Sequence, residues 1–483
     1  MSVASAGLGI LCMGVGMALA SCTLAPDYEP PAMPAPAAYR EAGDWMPARP
    51  ADETPRGAWW RAFNDPALDA LQDKSATANQ SLKAALARYD GARAAAQAAQ
   101  SAFFPLIAGS AGASRQKQSG NTANRPGVKI FNDFSVDANL SYEVDLWGRI
   151  RNAVAAAEGE AEASKADLAV ATLDLQAELA MNYFTLRGDD ALLEILDKTV
   201  DVDAKSLDLL QRRLKGGITT QADVDQAETL LENAKAQAAE FRLHRAQTEH
   251  AIAVLIGEMP GGFSHPVAPL AGEAVPAIDP GLPSTLLERR PDIAAAERRM
   301  MAANAEIGVA RAAWFPAFDL GAAFGAASAA AGNWLSAPST FWSLGPSAAM
   351  TLFDGGHIAA LTDEARAAYD EAAADYRQTV LIAYREVEDN LAALRQLDIE
   401  SRSQEAAKNA AERLLAQENS LYLGGAATYI DVAVAQNAAL QAEIAFVNVR
   451  VRRLAAAIQL VRALGGGWQE EKSALPIASP GKD

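Results

Sequence analysis

The residue types that do chemistry are few in this 483-residue chain and badly placed for it. Its four histidines, His244, His250, His265 and His357, stand at no spacing that holds zinc. No Gly-rich phosphate loop is present, and no nucleophile has a base beside it. The two cysteines are Cys12 and Cys22. What remains is carboxylate, in two patterns. Asp137, Glu143 and Asp145 share one face of a period-two run, and Asp223, Asp225 and Asp431 each follow a two-glycine turn. Carboxylates so arranged break no bonds; they set a field that draws cations and repels anions. The expectation is a protein that is not an enzyme and needs no cofactor or metal.

The first set is positioned by Phe134 to Leu146, FSVDANLSYEVDL, whose even positions are apolar and whose odd positions are polar. Such alternation is a strand with two unlike faces. At about 3.3 Å per residue it spans roughly 43 Å, much longer than an ordinary soluble strand. It suits a strand crossing an outer membrane, apolar side to lipid and acidic side to a water-filled lumen. Residues 320–353 carry no charge, but Gly321, Gly325, Gly332, Gly345, Pro338 and Pro346 puncture them. Alternation through Phe318, Leu320, Ala322 and Phe324 marks a second hairpin rather than a membrane helix.

The start of the chain reads as an address. An uncharged apolar core ends in Leu19-Ala20-Ser21-Cys22, which resembles a bacterial lipobox, although no Lys or Arg precedes it. Residues 1–21 are then a signal peptide, and Cys22 carries the lipid, the only covalent addition expected. Loss of Cys12 with that peptide leaves no disulfide in the mature chain. The net charge of −18 excludes a nucleic-acid partner, which needs a basic footprint.

Residues 22–57, rich in Pro and Ala, read as a lipidated extended tether. A first repeat fills 58–257: a helix from Asn64-Asp65-Pro66 to Gln100, a hairpin over 103–147, a long helix from Asn152 to Lys215, a tip turn at 216–219 and a helix over 221–257. A Pro/Gly linker covers 258–283. The second repeat, 284–465, has a helix from Ser284 to Ala312, a hairpin over 315–354, a long helix to Tyr422, a tip turn at 424–427 and a final helix. A polar tail, 466–483, follows. The landmarks Pro105 and Pro316, Gly148 and Gly355, Gly216 and Gly424, and Gly257 and Gly465 recur about 208 residues apart, the mark of a tandem duplication.

Four membrane strands cannot close a barrel, and an open edge in lipid leaves backbone groups unpaired. Eight strands from a dimer would be filled by their own side chains, so a wet lumen asks for three chains and twelve strands, or more. The long helix spans about 96 Å, close to the roughly 108 Å of the two shorter helices added end to end, as one continuous tube requires.

These stretches resemble the TolC and OprM family of outer-membrane efflux channels, closest to its NodT-type lipoproteins. The resemblance covers essentially the whole mature chain. It is carried by Cys22 with Pro26-Asp27-Tyr28, by Trp59-Trp60 with Phe63, by EVDLWGRIR from Glu143 and, most specifically, by RRPDIAAAERRMMAANAEIGVARAAWFP from Arg289 to Pro316.

The resemblance implies an α+β membrane protein of mainly long helices. It would be a homotrimer whose twelve-stranded β-barrel continues into a twelve-helix α-barrel, with a mixed equatorial domain. It implies an exit duct of a tripartite efflux pump, lipid-anchored in the outer membrane, conducting passively and partnered by a periplasmic adaptor and an inner-membrane pump, usually of the RND class. The tip-turn glycines Gly216, Gly217, Gly424 and Gly425 would meet the adaptor.

The same resemblance implies that Asp223, Asp225, Tyr422, Tyr429, Ile430 and Asp431 form a periplasmic aperture. Asp431 would face the pore, Tyr429 and Ile430 would plug it, and Asp223 would bond Tyr422. Val434 stands where relatives often carry a second Asp, and Ala427 where some carry an Arg. The aperture is therefore expected to be cation-selective and loosely locked, with three Asp431 carboxylates raising one another's pKa. Two other functions fit parts of the pattern: an outer-membrane component of type I protein secretion, and a structural coiled-coil lipoprotein, which would not need two alternating hairpins.

Overall fold

The computed structural model describes residues 23–29, 31, 39–40, 56–117, 119, 130–268, 270, 276, 289–334 and 336–466. Cys22, the signal peptide 1–21, the loop 120–127, half of the linker 258–283 and the tail from 467 lie outside the described residues. The elements in order are α1 (Pro66–Ala78), α2 (Gln80–Gln100), β1 (Leu106–Lys117), β2 (Ile130–Glu143), α3 (Arg149–Lys215), α4 (Gln221–Leu255), α5 (Pro291–Ala312), β3 (Ala317–Ser328), β4 (Thr340–Ala349), α6 (His357–Leu423) and α7 (Tyr429–Ala463). They form two compact units, one of residues 1–32, 88–165 and 295–377, the other of residues 33–87, 166–294 and 378–483.

The first unit holds one antiparallel sheet in the order β1-β2-β3-β4. Its register aligns Ile107 with Leu140, Leu140 with Ala322 and Ala322 with Leu344, and aligns Ala138 with Phe324 and Phe324 with Trp342. Directly paired residues share a face, so these apolar side chains all point to one side. The other side carries Ser110, Asp137, Ser135, Asn139, Ser141, Asp319, Ser343 and Ser347, with Leu106, Phe131 and Phe341 as large apolar exceptions. Phe324, Trp342 and Leu344 are 65%, 77% and 67% exposed, and a water-facing sheet would not spend them there. Gly325 leaves room for the Phe341 ring, whose Cε1 would lie 2.9 Å from a Cβ at that position.

Both strand-to-helix junctions are built alike. After β2, the Asp145 carboxylate accepts from the backbone N–H of Ile150 and Arg151, and Gly148 takes a positive φ of 78°. After β4, the Asp354 carboxylate accepts from Gly356 and Ile358, and Gly355 has φ 68°. An Asp at a helix start supplies acceptors to N–H groups that have no partner within the helix. Trp147 stacks on Phe315 at 4.7 Å and donates its indole N–H to Pro316 O.

Part of the stretch expected to be an extended tether is strapped down instead. The Thr23 hydroxyl donates to Asn152 Oδ1 (3.0 Å), Asn304 Nδ2 to Pro26 O (2.8 Å) and Arg311 Nη1 to Leu24 O (3.1 Å). Helical side chains thus supply the donors that an extended backbone would otherwise take from water.

In the second unit the core gathers Trp59, Trp60, Phe63, Leu68, Leu71, Tyr183, Phe184, Leu186, Ile252, Ile256, Leu454 and Ile458. Full burial of each such side chain contributes about 1.5–3 kcal/mol. Gly188 does not interrupt α3: a Cβ there would lie 2.5 Å from Val451, so its absence lets α7 pack close.

Two helices differ from the sequence reading. The helix expected from Pro66 to Gln100 is divided at Asn79, whose ψ of 128° is extended. Asn79 Nδ2 donates to Leu255 O, while its Oδ1 accepts from Leu82 N, so one amide ends α1, starts α2 and ties both to α4. Of the helix expected from Ser284, residues 284–288 lie outside the described residues. Arg289 is helical, the helix breaks at Arg290, whose side chain is drawn into an ion-pair cluster, and α5 runs from Pro291, a residue that favours the first helical position. Arg290 reaches both oxygens of Asp292, Glu386 Oε2 and the carbonyl of Ala463 at the end of α7.

Candidate functional site: the helix tips

The acidic candidates lie at the two turns that join the long helices to the shorter ones, both in the second unit. α3 ends in a Gly with a left-handed backbone: Gly217 has φ 71°, its N–H donates to Leu214 O and that of Ile218 to Arg213 O. α6 ends the same way, with Gly425 at φ 73° and the N–H of Ala426 on Leu421 O. This closure satisfies carbonyls that the helix itself leaves open, and Gly adopts it without strain. Gly216 and Gly424 precede these positions.

Each following helix starts with a reciprocal cap. Asp223 Oδ2 accepts from the Thr220 N–H (3.0 Å) and from the hydroxyls of Thr219 and Thr220, and Thr220 Oγ1 accepts from the Asp223 N–H. Asp431 Oδ2 accepts from the Thr428 N–H (2.9 Å) and hydroxyl (2.7 Å). These bonds favour the ionised form, the Thr219 hydroxyl holding Asp223, and the Thr428 hydroxyl Asp431, below the usual carboxylate range. Within the chain the pull on Asp431 is therefore downward, opposite to the rise expected from symmetry mates. Asp225 accepts from Gln221 Nε2.

Three finer expectations do not match the geometry. Asp223 makes no bond to Tyr422, because its oxygen is occupied by the cap; the Tyr422 hydroxyl instead accepts from Arg213 Nη1 at 2.9 Å, with the guanidinium over the ring. Tyr429 is not a projecting plug. It is 6% exposed among Leu210, Val224, Ala227 and Ala433, since its ring follows the apolar face of α7. Ile430, Asp431 and Val434 point the other way and are exposed. Finally, Asp145 is not on a strand face, because β2 ends at Glu143 and Asp145 caps α3. Of the other two carboxylates assigned to the sheet, Asp137 accepts from Ser110 Oγ and Asn139 Nδ2, and Glu143 pairs with Arg149.

A cavity of about 490 Å³ opens beside the tips, lined by Leu209, Leu210, Tyr422, Tyr429, Val432 and Gln436 among others. Above it Asp203 of α3, 3% exposed, accepts a hydrogen bond from Gln436 Nε2 of α7. Asp203 escaped the sequence reading, although a signal existed. It stands seven residues from Leu196 and seven from Leu210, both buried, and so interrupts an apolar stripe.

A second buried polar group was also missed. Asp190 accepts from Arg245 Nε, Arg187 Nη1 and the Ala268 N–H, and Asp189 pairs with His244. His265 Nε2 lies 2.6 Å from Arg187 Nη2, and burial together with that guanidinium pushes its pKa down, which leaves a neutral ring accepting from Arg187. Both histidines are thus taken up by neighbouring polar side chains. Among the described residues no three His, Cys, Asp or Glu side chains are grouped to hold a metal.

A two-faced sheet with open edges, joined to 67-residue helices that end in capped turns, defines the class: an outer-membrane channel subunit. The family described as outer membrane efflux protein matches residues 71–258 and 282–466, and the chain belongs to that family. Among its relatives are the probable efflux pump outer membrane protein TtgC of Pseudomonas putida, 30% identical over 94% of each chain, and the outer membrane protein OprJ of Pseudomonas aeruginosa, 32% identical over 96% of this chain and 97% of that one. The solved structure of the outer-membrane channel OprN superposes with a TM-score of 0.86 at 29% identity, covering 93% of this chain and all of that one.

Proposed function

We propose that three copies of this outer-membrane efflux protein assemble into one exit duct, their twelve strands closing a barrel in the outer membrane and their helices lining a periplasmic tunnel. The observation that carries this reading is the sheet. Most of its large apolar side chains share one face and most of its polar ones the other, the face crossing over only at strand ends and at Phe341, and β1 and β4 are edges without a neighbour among the described residues. Strand edges are not tolerated in lipid, so closure needs further copies. The polar face, with Asp137 and Glu143, then lines the lumen.

The two matched segments of the family, the twin Asp-Gly junctions and the twin Gly-Thr-Asp tips support a tandem duplication behind this fold. The helix tips are the end that meets a periplasmic adaptor, itself coupled to an inner-membrane pump of the RND class. Both relatives are named as outer membrane proteins, and TtgC as part of an efflux pump, which supports export as the task. Cys22 carries the lipid anchor: the next residue, Thr23, is held to Asn152, nine residues beyond the end of β2. Transport energy comes from the partner pump, and the duct itself conducts passively.

Native mass spectrometry of the detergent-purified protein tests both points. The expected particle contains three chains, each lacking residues 1–21 and bearing acyl mass on Cys22. A particle of one or two chains contradicts the barrel, and an unmodified N-terminus contradicts the anchor.

A further inference from the structure

We infer that the Asp203–Gln436 hydrogen bond is a positioning tie, fixing the first turns of α7 against α3 and so setting where Ile430, Asp431 and Val434 stand. This deepens the duct reading above and rests on it.

The argument begins with a cost. Asp203 occupies a position where the stripe Leu196, Leu210 calls for an apolar residue, and an ionised carboxylate buried there is unfavourable unless bonded. No cation meets it. Lys198 pairs with Glu194, Arg213 bonds Tyr422, and Lys408 pairs with Glu412. The donor it has among the described residues is the neutral amide of Gln436. A polar bond inside an apolar seam fixes register better than it adds stability, because it is satisfied in one alignment only.

Gln436 is well placed to pass that alignment on. It lies at the 3.6-residue spacing of Tyr429, Val432 and Ala433, the face of α7 that packs inward, while Ile430, Asp431 and Val434 occupy the outward face. A helix is stiff over two turns, so fixing residue 436 fixes the direction in which residues 430, 431 and 434 point. Tyr429 and Ala433 pack against Leu210, Val224 and Ala227, but the cavity of about 490 Å³ runs alongside, lined by Tyr429, Val432 and Gln436, so this seam is incomplete. Loss of the polar bond leaves the apolar contacts of Tyr429 and Ala433 alone to fix the rotation of α7 beside that void.

The other titratable groups around this seam are Tyr429 and Glu443 on α7, Tyr422 and Glu412 on α6, Asp223 on α4 and Lys198 on α3 itself. Burial pushes Tyr429 up to about 12, with Asp203, Tyr422 and Asp223 adding to the rise, so it stays neutral. Burial raises Glu443, and Lys408 holds Glu412 down. Burial also raises Asp203, more than Gln436 lowers it. Burial favours a neutral Asp203 whereas the bond from Gln436 favours the ionised one, so lowering the pH favours the packing around the pair while the bond itself is stronger to the carboxylate.

The test is single-channel recording of the full-length assembly in planar bilayers, with wild type, Asp203→Ala, Gln436→Ala, the double Ala variant and Asp203→Asn. Each single Ala variant is expected to raise open probability roughly three- to tenfold, the net worth of one hydrogen bond, and the double variant no more than either alone. Asp203→Asn keeps an oxygen that can accept from Gln436 and removes the titration, so its open probability should stay near wild type without the pH dependence that Asp203 contributes. Gln436 is only half-buried, so Gln436→Ala retains the test should Asp203→Ala fail to assemble. A conducting wild type with unchanged Ala variants, or with effects that add, overturns the tie alone. A wild type that assembles but never conducts overturns the duct reading and the tie with it.

Discussion

At the scale of single residues, the acidic positions divide by what holds them. Asp431 is fixed by its own helix cap, which favours its ionised form, so cation preference set at Asp431 should persist in acid until the pH falls below the ordinary carboxylate range. The sign is that of a carboxylate with a lowered pKa: its charge is lost only when pH falls through the lowered value. Thr428→Ala removes the hydroxyl donor and should move the loss of selectivity to higher pH, measured as reversal potential against pH in a salt gradient. An unchanged midpoint would mean that Asp431 does not set the selectivity. Sequence spacing found Asp431 because it follows a two-glycine turn. It did not find Asp203, nor the bond between Arg213 and Tyr422, because pairs across helices depend on how the helices are rotated.

At the scale of elements, the glycines at turns carry unequal loads. Gly217 and Gly257 share a positive φ, near 71° and 72°, yet a Cβ on Gly217 meets nothing within 4 Å whereas one on Gly257 lies 2.5 Å from Ala78 O. Gly217→Ala should cost about 1 kcal/mol for the left-handed backbone. Gly257→Ala should cost at least about 2 kcal/mol, since the α1 backbone must also move. Denaturant midpoints of the two variants compare them directly; equal losses would show that the α1–α4 contact yields freely. Much at this scale was legible in advance. Alternation over Phe134–Leu146 marked the strand now bounded by Ile130 and Glu143, and the paired glycines marked both tips. The break at Asn79 was hidden because Asn is compatible with an Ala-rich helix, and only its long-range bond to Leu255 shows why the chain turns there.

At the scale of the whole molecule, the strongest signal in the chain was its repetition, which no single residue carries. What could not be read was the fate of the N-terminal segment. Its Pro-rich composition reads as an extended tether, and composition does not show that Thr23, Leu24 and Pro26 are bonded to helical side chains more than a hundred residues away. The central claim is that copies of this chain enclose a water-filled path. Purified full-length protein reconstituted into planar bilayers reports on it directly through ion current at a fixed voltage. The account predicts discrete single-channel steps with cations favoured over anions. Bilayers that contain the assembled protein yet show no current at any voltage would contradict it.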